Sequence, residues 1–260
     1  MTKMQQLDQA GQSVWLDFIR RDMLDNGELA DLVADGVRGL TSNPTIFEKA
    51  IAGSDLYDTQ IAQSDGDPAA VFEALAVRDI RGAADLLRSV YDESDGADGF
   101  VSLEVAPGLA YHTDGTIADA KRLWSIVDRP NLMIKVPATA AGIPAIEQLI
   151  AAGINVNATL MFSLADYEAV AGAYVRGVER APEAHRVASV ASFFVSRVDT
   201  TTDAALEKVG SDDALALRGK IAVANAKLTY RRYQEIFEGS GFAAAAERGA
   251  QPQRVLWAST

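Results

Sequence analysis

A chain of 260 residues, 48% of them hydrophobic, is long enough for one large domain with a sizeable core. With no cysteine, and with His112 and His185 as its two histidines, it excludes thiol nucleophiles, disulfides, Cys-ligated metals and a His-rich metal site. A formal net charge of -12 argues against nucleic-acid binding, and the absence of a bilayer-length apolar run or a signal-peptide pattern reads as a cytoplasmic protein without a membrane segment.

Short apolar runs alternate along the chain with longer amphipathic ones. The strand-like runs are VWLDFI from Val14, VRGLTS from Val37, GFVSLEV from Gly99, NLMIKVP from Asn131, INVNATLM from Ile154, VASVASFFV from Val187 and VLWAS from Val255. They are rich in β-branched and aromatic residues and nearly continuously apolar, the pattern of parallel strands covered by helices. Between them, NGELADLVADG offers Asn26 as a cap and Gly36 as a stop. The segment from Asp67 to Glu93 has Asp67 as cap and Pro68 at the first helical position. TIADAKRLWSIV places Asp119 three residues after Thr116, a capping-box-like start. Further helices are expected in GIPAIEQLIAAG, in SLADYEAVAGAYVRGVE and in one long run after Asp212 that ends at Gly239. The insertion from Pro44 to Ala97 is expected to hold two helices as decoration on the same domain.

This alternation predicts an α/β fold, a single (β/α)₈ TIM-barrel domain over residues 1–260, and the lack of a Gly-rich turn after the first strand weakens a dinucleotide-binding alternative. Seven strands are identifiable and the sequence stops just after the seventh, so the eighth is expected to be missing by truncation at the C-terminus. An open edge of that kind predicts aggregation or pairing into a homo-oligomer.

Barrel enzymes carry their chemistry at the C-terminal ends of strands, so polar residues inside apolar runs are the candidates. Lys135, in LMIKVPA, is the most informative. Burial there lowers the pKa of an amine and frees it as a nucleophile; ion pairing with a neighbouring carboxylate is the alternative. Asp17 and Glu104 interrupt two other strands and suit general acid and base work, or charge neutralisation. Asn43 lies before Pro44, where an Asx turn is the plain reading. Asn157 and Thr159, two residues apart, share a strand face and suit a polyol. Ser192 and Arg197 flank FFVS, and Arg197 suits a phosphate or carboxylate, or a surface salt bridge. Phe193 and Phe194 read as core and pocket wall, and both histidines as exposed.

The motifs VWLDF, LTSNPTIFEKAI, VSLEVAPGLAYHTDGTI, NLMIKVPAT, GINVNATLMFS, ASFFVSRVDT and LWAST, in this order, resemble those of the transaldolases, in the longer bacterial form. The resemblance implies that Lys135 forms a Schiff base with a ketose phosphate. It implies that Asp17 takes the C4 hydroxyl proton, and that Glu104 acts through a water positioned by Thr159. It further implies that Asn43, Asn157 and Ser192 hold substrate hydroxyls, that Arg197 holds phosphate, and that Phe194 lines the pocket. No metal or organic cofactor is implied; the partners are sugar phosphates of the pentose phosphate pathway. In that family the chain continues beyond LWAST into a further basic phosphate ligand and a last strand, whose loss would weaken substrate binding. Two alternatives stay open: a fructose-6-phosphate aldolase, which resembles this family but carries a tyrosine where Phe194 stands, and an inactive barrel fragment acting as a binding or assembly module.

Overall fold

The computed structural model describes residues 1–64 and 66–260. Its sheet has seven strands in chain order: β1 (Val14–Leu16), β2 (Val37–Leu40), β3 (Val101–Glu104), β4 (Leu132–Pro137), β5 (Val156–Met161), β6 (Ser189–Phe194) and β7 (Arg254–Ala258). Each lies inside one of the runs marked in the sequence, except that β7 starts one residue before its run, and no eighth strand occurs among the described residues. Two compact units divide the chain: residues 1–107 with 118–134, and residues 108–117 with 135–260.

In the first unit β1 pairs with β2 and β2 with β3, both parallel. The N–H of Val101 donates to the carbonyl of Asn131 at 2.9 Å, which starts β4 beside β3. Trp15 fixes the β1–β2 contact. A Cβ on Gly39 would lie 2.3 Å from the Trp15 ring, so only glycine fits there. The indole N–H of Trp15 donates to Asp98 at 3.2 Å, and Ser13 donates to the same carboxylate. Below the helix Pro68–Leu86 lies a buried charge cluster. Arg21 Nε donates to Asp79 at 2.8 Å, the Tyr57 hydroxyl donates to Asp79 at 2.9 Å, and the guanidinium lies 4.4 Å from the Tyr57 ring. A buried carboxylate is tolerable only with such partners. Burial holds Asp79 above its ordinary pKa, and Arg21 opposes that shift.

In the second unit β5 pairs with β6 and β6 with β7, both parallel. The Ala138 N–H donates to the Thr159 carbonyl at 2.8 Å, so the end of β4 runs beside that of β5. The helices Gly142–Ala151 and Leu164–Arg180 pack together and onto the strands. Gly177 permits the close approach, since a Cβ there would come within 2.8 Å of Ile150. Ser163 and Asp166 form a capping box at the start of the second helix.

Four local expectations need correction. The helix Thr113–Val127 begins before Thr116, capped by His112, whose Nδ1 accepts from the Gly115 N–H at 2.8 Å. Thr116 therefore donates to the Leu109 carbonyl, and Asp119 accepts from the Ala106 N–H and from Arg122. Gly27, not Asn26, is the N-cap of Glu28–Asp35; Asn26 accepts from the Glu28 N–H, and Gly36 ends the helix with φ 117° as expected. The insertion holds more than two helices: Pro44–Ala52, Asp58–Ala62, Pro68–Leu86 and Arg88–Glu93. The long run after Asp212 is broken into Asp212–Leu215, which ends at the cap Ala216, and Ile221–Phe237, with a turn between them in which Gly219 has φ 67°.

Candidate active site

The residues singled out in the sequence fall within the strands or in the segments that follow them. In the second unit Lys135 lies within β4 and is only 6% exposed. Asn157 and Thr159 follow on β5 and Ser192 on β6, and all three are buried. The strand alternation puts Asn157 and Thr159 on one face of β5, with Ala158 on the other. Ser192 donates its hydroxyl proton to Asn157 Oδ1 at 2.7 Å. The Thr159 hydroxyl is buried and has no hydrogen-bond partner among the described residues. A buried hydroxyl without a protein partner is costly unless a small polar molecule meets it.

Just after Thr159 the strand changes course. Leu160 has φ 62°, a left-handed conformation that is rare for a branched residue, and the β5–β6 register shifts between Ala158 and Met161. Such a bulge re-aims the side chains at a strand end. It turns out Phe162, which is 37% exposed and lies 5.1 Å, centroid to centroid, from the ring of Phe194.

Phe193 is fully buried as core, while Phe194 is half-buried and borders Arg197. Arg197 sits in the first turn of the helix Ser196–Val209, and its guanidinium lies 4.9 Å from the Phe194 centroid. Arg197 has no carboxylate partner among the described residues, so the salt-bridge alternative is not realised. A cation near a helix N-terminus also opposes the helix dipole by several tenths of a kcal/mol, on the order of 0.3–1. Neither term stabilises the fold, whereas both are consistent with a place for an incoming anion.

In the first unit Asp17 follows β1 directly and is exposed, Asn43 follows β2, and Glu104 ends β3. Asn43 caps the helix Pro44–Ala52, its side-chain oxygen accepting from the Ile46 N–H at 3.0 Å. The bond reaches three residues on, as a helix N-cap does, rather than two as in the expected Asx turn, and it fixes the orientation of the side-chain amide. Asp17 has no hydrogen bond or ion pair among the described residues.

Sequence reasoning missed Phe162, Leu160 and Asn225. The Asn225 amide, on the helix Ile221–Phe237, donates to the Phe162 carbonyl at 2.9 Å. No local pattern marks it, because the bond joins segments far apart in the chain.

The sequence profile of the Transaldolase/Fructose-6-phosphate aldolase family matches residues 14–260. A protein of Thermobifida fusca named transaldolase is 53% identical over 265 residues, covering 99% of this chain and 72% of the relative. One of Frankia alni with the same name is 54% identical over 263 residues, covering 98% and 71%. One of Mycolicibacterium smegmatis is 52% identical over 262 residues, again covering 98% and 71%. The alignments take in nearly all of this chain and about seven-tenths of each relative. The family match and the seven-stranded sheet agree with the (β/α)-barrel class expected from the sequence.

Proposed function

We propose, from the premise that this chain belongs to the transaldolase/fructose-6-phosphate aldolase family, that it transfers a dihydroxyacetone unit between sugar phosphates through a Schiff base on Lys135. The observation that carries this reading is the set of buried polar side chains on three neighbouring strands of the second unit: Lys135, Asn157 with Thr159, and Ser192. Burial of polar groups on otherwise apolar strands costs stability, and functional sites are where such costs concentrate.

The chemistry follows from the groups. The Lys135 amine adds to the C2 carbonyl of fructose 6-phosphate or sedoheptulose 7-phosphate, and the carbinolamine loses water to give a protonated imine. That imine accepts the electron pair of the C3–C4 bond as the C4 hydroxyl gives its proton to Asp17. An aldose phosphate leaves. The enamine that remains adds to the aldehyde of an acceptor aldose phosphate, Asp17 returns the proton, and water releases the new ketose. Glu104 moves protons through a water held by Thr159, a role supported by the partnerless Thr159 hydroxyl. Asn43, Asn157 and Ser192 bind substrate hydroxyls, and Arg197, clear of any carboxylate among the described residues, takes the phosphate. Phe194 walls the pocket, and its lack of a phenol hydroxyl favours transfer over release of free dihydroxyacetone. The setting is pentose phosphate metabolism in the cytoplasm. In support, no helix of the described residues is long and apolar enough to cross a membrane.

Borohydride trapping with fructose 6-phosphate, read by intact mass and peptide mapping, tests the reading. A dihydroxyacetone-sized adduct on Lys135 is expected. A label on another residue, or none under conditions that label a family relative, refutes it. A coupled assay for free dihydroxyacetone distinguishes simple cleavage from transfer.

A further inference from the structure

We infer that Asn225 is a positioning residue for the phosphate-binding arginine, acting on Arg197 through Phe162 and Phe194. The inference rests on the reading of Arg197 as the phosphate ligand.

Arginine carries a long side chain with about 2 kcal/mol of rotamer entropy. Arg197 is exposed and lacks a carboxylate partner among the described residues. The contact that holds its guanidinium is the Phe194 ring, 4.9 Å away. Where the ring points, the guanidinium is held, because the cation–π attraction depends on the ring face.

Phe194 has a well-fixed backbone. It is the last residue of β6 and pairs with Ala258 of β7. Its ring is half-buried and meets Phe162 at 5.1 Å, tilted by 31°. Phe162, in turn, is not fixed by the sheet. It follows β5, beyond the register shift and the positive φ of Leu160, where ladder bonding no longer dictates its direction. The Asn225 side-chain amide donates to the Phe162 carbonyl at 2.9 Å and ties this residue to the helix Ile221–Phe237.

Asparagine inside a helix is a poor choice on propensity alone, by roughly half a kcal/mol against alanine. The bond to Phe162 supplies a reason for its presence. A purely structural role would make Asn225 a matter of stability. A positioning role makes it a matter of phosphate affinity, and the two separate in kinetics.

The test compares Asn225→Asp, Asn225→Gln, Phe162→Ala and Arg197→Ala with the parent chain. Asn225→Asp keeps the size and removes the donor, placing a carboxylate against a carbonyl oxygen. It is expected to raise KM for fructose 6-phosphate about three- to tenfold with kcat within about twofold, the size of one lost hydrogen bond. It should weaken competitive inhibition by inorganic phosphate by a similar factor. Asn225→Gln, which keeps an amide donor, should recover most of the loss. Phe162→Ala should reproduce the KM effect, so the test survives if the aspartate variant does not fold. In an Arg197→Ala background Asn225→Asp should add nothing, because both act on one group.

An Asn225→Asp variant that lowers kcat or melting temperature without changing KM or phosphate inhibition overturns the inference, as does full additivity with Arg197→Ala. If Arg197→Ala itself leaves KM and phosphate inhibition unchanged, the phosphate reading has failed and the inference falls with it. If Arg197→Ala weakens phosphate binding and neither Asn225→Asp nor Phe162→Ala does, the inference alone has failed.

Discussion

The Ser192 hydroxyl donates to the side-chain oxygen of Asn157 at 2.7 Å, from β6 to β5, with both side chains buried. The bond fixes the Asn157 amide, because with Oδ1 accepting, the nitrogen must be the end turned the other way. Replacing Ser192 by alanine deprives a buried carbonyl oxygen of its donor, which costs about 1–3 kcal/mol. Ser192→Ala is therefore expected to lower the unfolding midpoint in urea and to raise KM for the ketose phosphate. Unchanged kinetics would show that Asn157 keeps its orientation without Ser192.

Thr159 has the reverse signature. Its hydroxyl is buried and bonds to no described residue, so Thr159→Val removes a polar atom that the protein itself does not satisfy. Stability should stay within about 1 kcal/mol of the parent or rise, since an unsatisfied polar atom is replaced by a methyl of similar size. Turnover should fall by about 10- to 100-fold if the hydroxyl holds the water used in imine formation and hydrolysis. Melting temperature and kcat, measured on the same preparation, check both halves. A loss of stability with full turnover would make Thr159 structural.

Tyr57 carries a pH prediction. Burial, reinforced by the Asp79 carboxylate, pushes its phenol up from 10.0 to about 12. Above pH 10 the unfolded chain loses this proton while the folded chain keeps it, so the folded state binds more protons and stability falls as pH rises. The loss grows from pH about 10 and levels off near 12, reaching roughly 2–3 kcal/mol. Tyr57→Phe should cost about 1–3 kcal/mol near neutral pH by taking a donor from Asp79. Its urea-derived stability should then decline less than the parent's over that alkaline window. Parallel declines for the two proteins would show that Tyr57 does not titrate with the assigned shift.

Gly39 tests the packing of the first unit. An added Cβ would lie 2.3 Å from the Trp15 ring, in a position where the indole is also tied to Asp98. Gly39→Ala is expected to destabilise by about 1–3 kcal/mol through overpacking. Shifted Trp fluorescence should accompany a lower urea midpoint. A neutral substitution would mean that β1 can move away from β2 at little cost.

Much of the fold was legible along the chain because strands covered by helices must be apolar throughout. All seven runs became strands on that ground, and Lys135 stood out because a lysine breaks such a run. Helices without a clear apolar stripe were harder to see. Ser196–Val209, rich in Thr and Asp, was not among the expected helices, yet it carries Arg197. The start of Thr113–Val127 was misplaced because its cap is a histidine side chain, whereas Thr116 fits the usual capping pattern and is already inside the helix.

By itself the sequence determined the alternation of strands and helices, the amine at Lys135 and the order of motifs that identifies the family, since these depend on residue type and spacing along one chain. Only the tertiary structure decided that Ser192 orients Asn157, that the Thr159 hydroxyl bonds to no described residue, and that Asn225 holds Phe162 against Phe194 beside Arg197. Those relationships join residues on different elements. They are set by strand register, by a bulge at Leu160 and by helix packing, and none of these is written in a local pattern.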